Sequence, residues 1–245
     1  MGGAGRHATL NMAAAAPVDA YTVLYQDDVL VAVDKPAGVL VHRSAESRER
    51  NFVLQTLARQ LGRTLYPVHR LDRATSGVLL FALTSAAAAR LQLALADPIT
   101  TRKEYLALVR GSTPAQFICE RPLTPIDRRD LPPQPARTEF EKLAEFARCS
   151  LIRARITSGR RHQIRRHLQG LAHQVIGDTS YGKGQINRAL RAEFGLPRLF
   201  LHAERVTFVH PDSHASFTIH APLAPDLRAF LLRLPDAPTE LIGRL

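Results

Sequence analysis

Asp72 stands in the segment His69-Arg70-Leu71-Asp72-Arg73-Ala74-Thr75-Ser76-Gly77, a carboxylate among two arginines and a histidine, directly before the apolar run Val78-Leu79-Leu80-Phe81-Ala82. Neighbouring guanidinium groups keep a carboxyl group ionised, and a turn feeding a buried strand fixes its direction. An ionised, oriented carboxylate is what a nucleophile or a general base requires. The same acid could cap a turn with its arginines as surface charge, since structural ion pairs perturb carboxylates in the same way. Features further along the chain favour chemistry.

Arg153, Arg155, Arg160, Arg161, Arg165 and Arg166 place six arginines within 14 residues, with no acid between them. Such a group repels itself, and phosphate is the anion it would best accept. Gly159-Arg160-Arg161-His162 lies where a helix is expected to begin, so free N–H groups and the helix dipole add to an anion site. On that helix Ile164, Leu168 and Leu171 form one stripe toward the core. Arg165 borders the stripe and Arg166 points to the far side, toward solvent or phosphate. A partly buried guanidinium needs a carboxylate, and Asp72 is the leading candidate. In Lys103-Glu104-Tyr105, on a strand, Lys103 and Tyr105 share a face. A tyrosine beside a cation can stack on a base and exchange a proton, although most strand tyrosines only pack.

Metal and nucleotide chemistry find no support. His162 and His167 are five apart, so on a helix they point about 140° from each other, and no HExxH occurs. GxxxxGK[ST], GxGxxG and GxSxG are also absent, which removes the usual signatures of nucleotide-cofactor enzymes and serine hydrolases. No metal and no cofactor are expected. The 33 Lys+Arg against 22 Asp+Glu give +11 and a pI near 10.6, which favours a polyanionic partner. Cys119 and Cys149 fit no CxxC pattern and read as buried thiols of a cytoplasmic protein. No run approaches the ~18 apolar residues of a membrane span.

The positioning elements follow from periodicity. Tyr21 to Tyr25 and Val29 to Val33 read as a hairpin, and Lys35-Pro36-Ala37-Gly38 as a turn. Residues 50–61 read as a helix, 65–68 and Val78 to Leu83 as strands, and Ser85 as the N-cap of a helix over Ala86 to Ala96. A strand over Lys103 to Arg110 precedes a Pro-rich linker or loop, Pro122 to Pro135. Strands at Phe140 to Phe146 and Cys149 to Ile156, a helix over His162 to Leu171, and a polar connection over Gly177 to Gly195 come next. Late strands at Leu199 to Ala203, Val206 to Val209 and Phe217 to His220 precede a closing helix, Asp226 to Leu234. Strands outnumber helices and come in hairpin-like pairs, so the fold class is α+β with a mainly antiparallel sheet. Residues 1–20, rich in Gly and Ala, read as a disordered tail before a single domain over 21–245.

Four segments occur in order: Lys35-Pro36-Ala37-Gly38, His69 to Gly77, Lys103-Glu104-Tyr105 and Gly159-Arg160-Arg161-His162-Gln163-Ile164-Arg165-Arg166-His167. With Gly177-Asp178, Tyr181-Gly182 and Leu201-His202-Ala203 further on, the chain resembles the RluA-type pseudouridine synthases from about Tyr21 to Leu234. The resemblance implies the pseudouridine synthase catalytic fold: a mixed, mainly antiparallel sheet, flanking helices and a central active-site cleft. It implies conversion of uridine to pseudouridine by base flipping, glycosidic cleavage and C-glycoside formation. Asp72 would be the catalytic aspartate, acting as a nucleophile or by taking a sugar proton to give a glycal-like intermediate. Tyr105 would stack on the uracil and help remove the C5 proton, and Arg165 would pair with Asp72. Arg70 would enter the RNA stack and Ile164 would pack beside the site. Arg73, Lys103, Arg160, Arg161 and Arg166 are the further candidates for contact with substrate.

Only 20 residues precede Tyr21, so no S4-type RNA-binding domain is expected. Asn187 to His202 is most similar to a tRNA-acting branch of the family, so tRNA is the expected partner, with uridine sixty-five near the T stem as one target. A monomer without nucleotide cofactor or membrane contact is expected. The alternatives are an rRNA substrate, a non-catalytic RNA-binding module, or an N-glycosylase that releases uracil.

Overall fold

The apolar run before position 83 is buried on both faces, as a central strand must be. The computed structural model describes residues 20–42 and 51–245, so the tail expected over 1–20 lies, except for its last residue, outside the described residues. In chain order the elements are β1 (Val23–Gln26), β2 (Leu30–Lys35), α1 (Val53–Leu61), β3 (Tyr66–Pro67), β4 (Ser76–Ala82), α2 (Ser85–Ala96), β5 (Arg102–Arg110) and β6 (Gln116–Cys119). They continue as β7 (Thr138–Phe146), β8 (Cys149–Ile156), α3 (Gln163–Gly170), α4 (Gly184–Phe194), β9 (Leu201–Val209), β10 (Ser216–His220), α5 (Pro225–Leu231) and α6 (Thr239–Arg244).

The strands form one sheet in the order β1-β2-β4-β9-β5-β8-β7-β6, with β10 on β9 and β3 on β4. All pairings are antiparallel except β4 with β9. The expected mixed, mainly antiparallel α+β architecture is therefore present. Side chains alternate between two covered faces. From β4, Leu80 and Ala82 meet Ala87, Leu91 and Leu95 of α2, while Leu79 and Phe81 meet Val53 and Leu57 of α1. From β5, Leu106 and Leu108 join Leu227, Phe230 and Ile242 of the C-terminal helices, while Ala107 and Val109 join Ile164 and Leu168 of α3. Tyr105 touches both the α1-side and the α3-side clusters, which puts it at the seam between the two halves of the sheet.

The seam is set by a close backbone approach. β4 and β9 pair in parallel only at Ser76–His202 and Gly77–Ala203, and Tyr105 pairs with Ala203 from the other side. Gly77 has φ +109, and a Cβ there would lie 2.1 Å from the carbonyl oxygen of Ala203. Only glycine satisfies both constraints. The turn ending at Gly77 thus arrives directly beside Tyr105.

Several local expectations need correction. Thr84, in extended conformation, caps α2 by accepting from Ala87 N–H at 3.0 Å, so Ser85 is the first helical residue. The stretch expected as a polar connection contains α4, which packs Ile186 and Leu190 on the core and ends on Gly195 at φ 68. The two strands expected at 199–209 are one, β9, because Glu204 in its middle is neutralised by Arg153. Leu171 is 38% exposed because α3 ends one residue earlier. β6 and α6 have no counterpart in the sequence reading. Cys119 and Cys149 are buried free thiols, as expected.

Candidate active site

The turn carrying Asp72 is locked from below by Lys35. The Lys35 ammonium is fully buried and donates to the carbonyls of Pro36 (2.8 Å), Arg73 (3.2 Å) and Thr75 (2.8 Å). Three acceptors call for three N–H bonds, which only the protonated amine supplies, although burial lowers its pKa to about 7. Gly38 N–H donates to Arg73 O and Arg73 Nε donates back to Gly38 O, so the Lys35–Gly38 turn and the Asp72 turn clasp each other. His69 accepts from Leu80 N–H at 3.0 Å, and burial drives its pKa down to about 3, so it is a neutral structural acceptor. His202 is likewise structural, lying 2.9 Å from the Ser76 hydroxyl.

Above this base the charged groups converge. Arg165 Nη1 donates to Asp72 Oδ2 at 3.2 Å, which is the pairing expected from the helix geometry. Its other edge donates through Nε and Nη2 to Asp178 at 2.7 and 2.9 Å. Burial works against the Arg165 charge, but the two carboxylates outweigh it and raise its pKa. Burial likewise opposes the Asp178 charge, yet Arg165 and the N–H groups of Tyr181 and Ser180 hold its pKa below the usual range. The Arg165 guanidinium also lies over the Tyr181 ring at 5.0 Å. His162 Nε2 is 3.6 Å from Asp72 Oδ2 and His162 Nδ1 is 3.0 Å from the Tyr181 hydroxyl. Burial and the Asp72 charge raise the Tyr105 pKa, so its phenol stays protonated.

These groups line a cavity of about 280 Å³. Asp72, Tyr105, Arg165, Arg70, Arg160, Arg161 and Ile164 all border it, together with His162. Arg73, Lys103 and Arg166 do not. Arg73 is engaged with Gly38, Lys103 donates to Leu95 O at the end of α2 (3.0 Å), and Arg166 donates to Thr124 O (3.0 Å). Among the described residues no cluster of His, Cys, Asp or Glu has the makings of a metal site, and no helix is long and apolar enough to cross a membrane.

The arginine cluster also needs correction. Its members do not simply repel one another, because acids arrive from neighbouring strands. Arg153 pairs with Glu204 of β9 at 2.9 Å, and Arg155 pairs with Glu104 of β5 at 2.9 Å and Glu141 of β7 at 2.5 Å. These lie on the sheet face away from Asp72. Arg160, Arg161 and Arg166 hold the 122–135 loop, through Pro135 O, Asp127 and Thr124 O respectively. A larger groove of about 870 Å³, on the face with Glu104 and Arg155, contains none of the Asp72 set.

Sequence reasoning gave no role to Asp178, His162 or Lys35. The available signal for Asp178 was the second edge of a buried guanidinium, which one carboxylate leaves unsatisfied. For Lys35 it was a lysine between an apolar strand and a Pro-Ala-Gly turn, where a buried ammonium must find carbonyls.

Residues 29–170 match the family model described as RNA pseudouridylate synthase. A tRNA pseudouridine synthase C from Pasteurella multocida is 44% identical over 219 residues, covering 81% of this chain and 90% of that protein. One from Haemophilus influenzae is 42% identical over 221 residues, covering 82% and 92%. Among solved structures, human RNA pseudouridylate synthase domain containing 4 is similar in fold, with a TM-score of 0.72 and 24% identity over 86% of this chain and 92% of that one.

Proposed function

The chain belongs to the RNA pseudouridylate synthase family and is an RNA pseudouridine synthase; from that premise we propose that it isomerises a uridine of tRNA, in the cavity around Asp72. The tRNA assignment is supported by relatives 38–44% identical over most of the chain, which are named for tRNA. Uridine 65 is the first position to test. The observation that carries the site is the Asp72–Arg165 pair at 3.2 Å, set in a cavity walled by Tyr105 and Ile164.

The chemistry follows from the charges. Arg165 donates to Asp72 and aims it while the base is extruded into the cavity. The N1–C1′ bond breaks, either by attack of the carboxylate on C1′ or after it takes a sugar proton. The freed uracil turns against the Tyr105 ring and Ile164, and C5 bonds to C1′ as the bond between C1′ and the Asp72 carboxylate breaks or, on the other route, as Asp72 returns the sugar proton. Loss of the C5 proton and protonation of N1 then complete the isomerisation. Arg70, which borders the cavity, fills the space that the uridine leaves in the RNA, and Arg160 and Arg161 meet flanking phosphates by exchanging their contacts with Pro135 O and Asp127.

Tritium release from tRNA carrying 5-tritiated uridine tests this reading. Wild type should release tritium and Asp72→Asn should not, with pseudouridine mapped in the product. Equal release by both proteins overturns the role of Asp72. Release from rRNA but not from tRNA overturns the substrate.

A further inference from the structure

Two titratable side chains in the cavity, Asp127 and His162, are not used by the steps above, and Asp127 is paired with Arg161. We propose that His162 is the catalytic base that takes the C5 proton of the rearranged uracil. The inference rests on the proposed reaction and adds the proton acceptor for its last step. Once C5 has bonded to C1′, C5 is tetrahedral and still carries its hydrogen. Removing that proton returns the C5–H electron pair to the ring as the C5=C6 bond. The C6=N1 pair moves onto N1, which takes a proton from water. His162 becomes an imidazolium and later returns its proton to solvent, so the isomerisation balances.

The geometry singles out His162. Its Nδ1 is engaged by the Tyr181 hydroxyl, and the two rings meet edge to face at 5.6 Å. That leaves Nε2, which faces the cavity 3.6 Å from Asp72 Oδ2, beyond hydrogen-bond length. With Nδ1–H donating to the Tyr181 oxygen, the Nε2 lone pair is left free, 3.6 Å from the carboxylate proposed to act at C1′. Asp72 also stands ready to stabilise the imidazolium. The backbone supports the assignment: His162 precedes α3 with φ 57, a left-handed conformation that a non-glycine residue adopts at a cost and that recurs at functional sites.

The neighbouring groups are less suited to accept this proton. Tyr105, to which the resemblance gives a part in removing this proton, keeps its phenol protonated because burial and the Asp72 charge raise its pKa, and Arg165 is a fixed cation. Burial, more than the charges around it, keeps His162 in its basic form. Burial lowers its pKa, Asp72 pulls it up, Arg165 and Arg161 push it down, and Asp178 pulls it up, with the balance below the ordinary imidazole value.

His162→Asn tests the proposal, because asparagine tolerates the left-handed conformation and retains a hydrogen-bonding side chain. On tRNA, kcat should fall by about 100-fold or more while KM moves by less than about threefold. A primary isotope effect from 5-deuterated uridine should appear on kcat, and the acid limb of the kcat–pH profile should vanish. Added imidazole should restore part of the rate to His162→Gly. A kcat within about threefold of wild type overturns the proposal. So does a slow variant that folds normally but shows no isotope effect and no imidazole rescue, since His162 would then only anchor Tyr181. A wild type that forms no pseudouridine in tRNA instead overturns the substrate reading, and the same comparison is then made on rRNA.

Discussion

Asp178 grips Arg165 along the edge opposite the one that meets Asp72. The two bonds to Asp178, at 2.7 and 2.9 Å, are shorter than the single 3.2 Å bond to Asp72. The carboxylate of Asp178 is itself held by the N–H groups of Ser180 and Tyr181 at 2.8 and 2.9 Å. Backbone after α3 therefore fixes Asp178, Asp178 fixes Arg165, and Arg165 aims Asp72. In the proposed reaction Asp178 is a positioning residue, since it reaches the Asp72 carboxylate only through the guanidinium.

Asp178→Asn keeps the shape of the side chain but removes its charge from a buried pair. We expect a loss of about 3 kcal/mol in unfolding free energy, the usual cost of breaking a buried ion pair from one side. We also expect kcat to fall by about tenfold or more through misaimed carboxylate, with KM little changed. Urea unfolding and single-turnover tritium release check both numbers. Unchanged rate and stability together would remove Asp178 from the positioning chain.

Lys35→Met exchanges the buried ammonium for an apolar chain of similar length. Three buried carbonyls, on Pro36, Arg73 and Thr75, then lose their donor. Orphaned acceptors cost about 1–3 kcal/mol each, offset by the desolvation cost that the ammonium no longer carries, so the net loss is about 3 kcal/mol. Chemical denaturation measures it, and a variant as stable as wild type would show that the clasp is not needed.

Gly77→Ala places a methyl group 2.1 Å from the carbonyl oxygen of Ala203 at φ +109. Neither backbone can give way, because both belong to the central strand pair. The variant should accumulate as insoluble protein, or fold with a loss above about 3 kcal/mol. Soluble expression with native thermal stability would contradict the close approach of β4 and β9.

Stability should fall on the acid side through two buried histidines. Burial lowers the pKa of His69 from 6.5 to about 3 and that of His202 from 6.5 to about 4. Both are neutral when folded, while the unfolded chain protonates them at the ordinary value. A depressed folded pKa contributes stability that is fully present above the unfolded pKa and is lost as pH falls through the folded one. Thermal midpoints should therefore drop between pH 6.5 and about 4. His202→Gln, which leaves a hydrogen-bonding side chain without the titration, should flatten that slope.

Much of the site was legible because its parts are local. The Asp72 turn, the apolar strand after it and the 3.6-residue stripe of α3 follow from neighbours in the chain, and the stripe alone placed Arg165 beside the core. Partners brought from afar were not legible. Glu204, Glu104 and Glu141 neutralise Arg153 and Arg155 only because β9, β5 and β7 flank β8 or reach across its face. A count of acids within the local window therefore overestimated the free positive charge. Lys103 shares the strand face of Tyr105, as alternation requires, but its long chain turns back to Leu95 O, and alternation carries no information about that choice. α4 escaped notice because its polar face dominates the composition, although Ile186, Leu190 and Gly195 marked an amphipathic helix and its cap.

Arg70 and Arg166 should separate substrate contact from scaffold. Arg70 borders the cavity and, among the described residues, its side chain has no hydrogen-bond or ion-pair partner, so its charge is available to RNA. Arg166 is spent on Thr124 O and helps hold the 122–135 loop against α3. Arg70→Ala should leave the thermal midpoint unchanged, reduce kcat/KM on tRNA by about tenfold or more, and lower the salt dependence of binding. Arg166→Ala should instead speed limited proteolysis within 122–135, because an exposed loop that loses a main-chain tether opens more often. Its effect on activity should follow the loop, and a crosslink pinning the loop to α3 should restore it. If Arg166→Ala weakens RNA binding while leaving proteolysis unchanged, Arg166 meets phosphate directly and the bond to Thr124 gives way when RNA arrives.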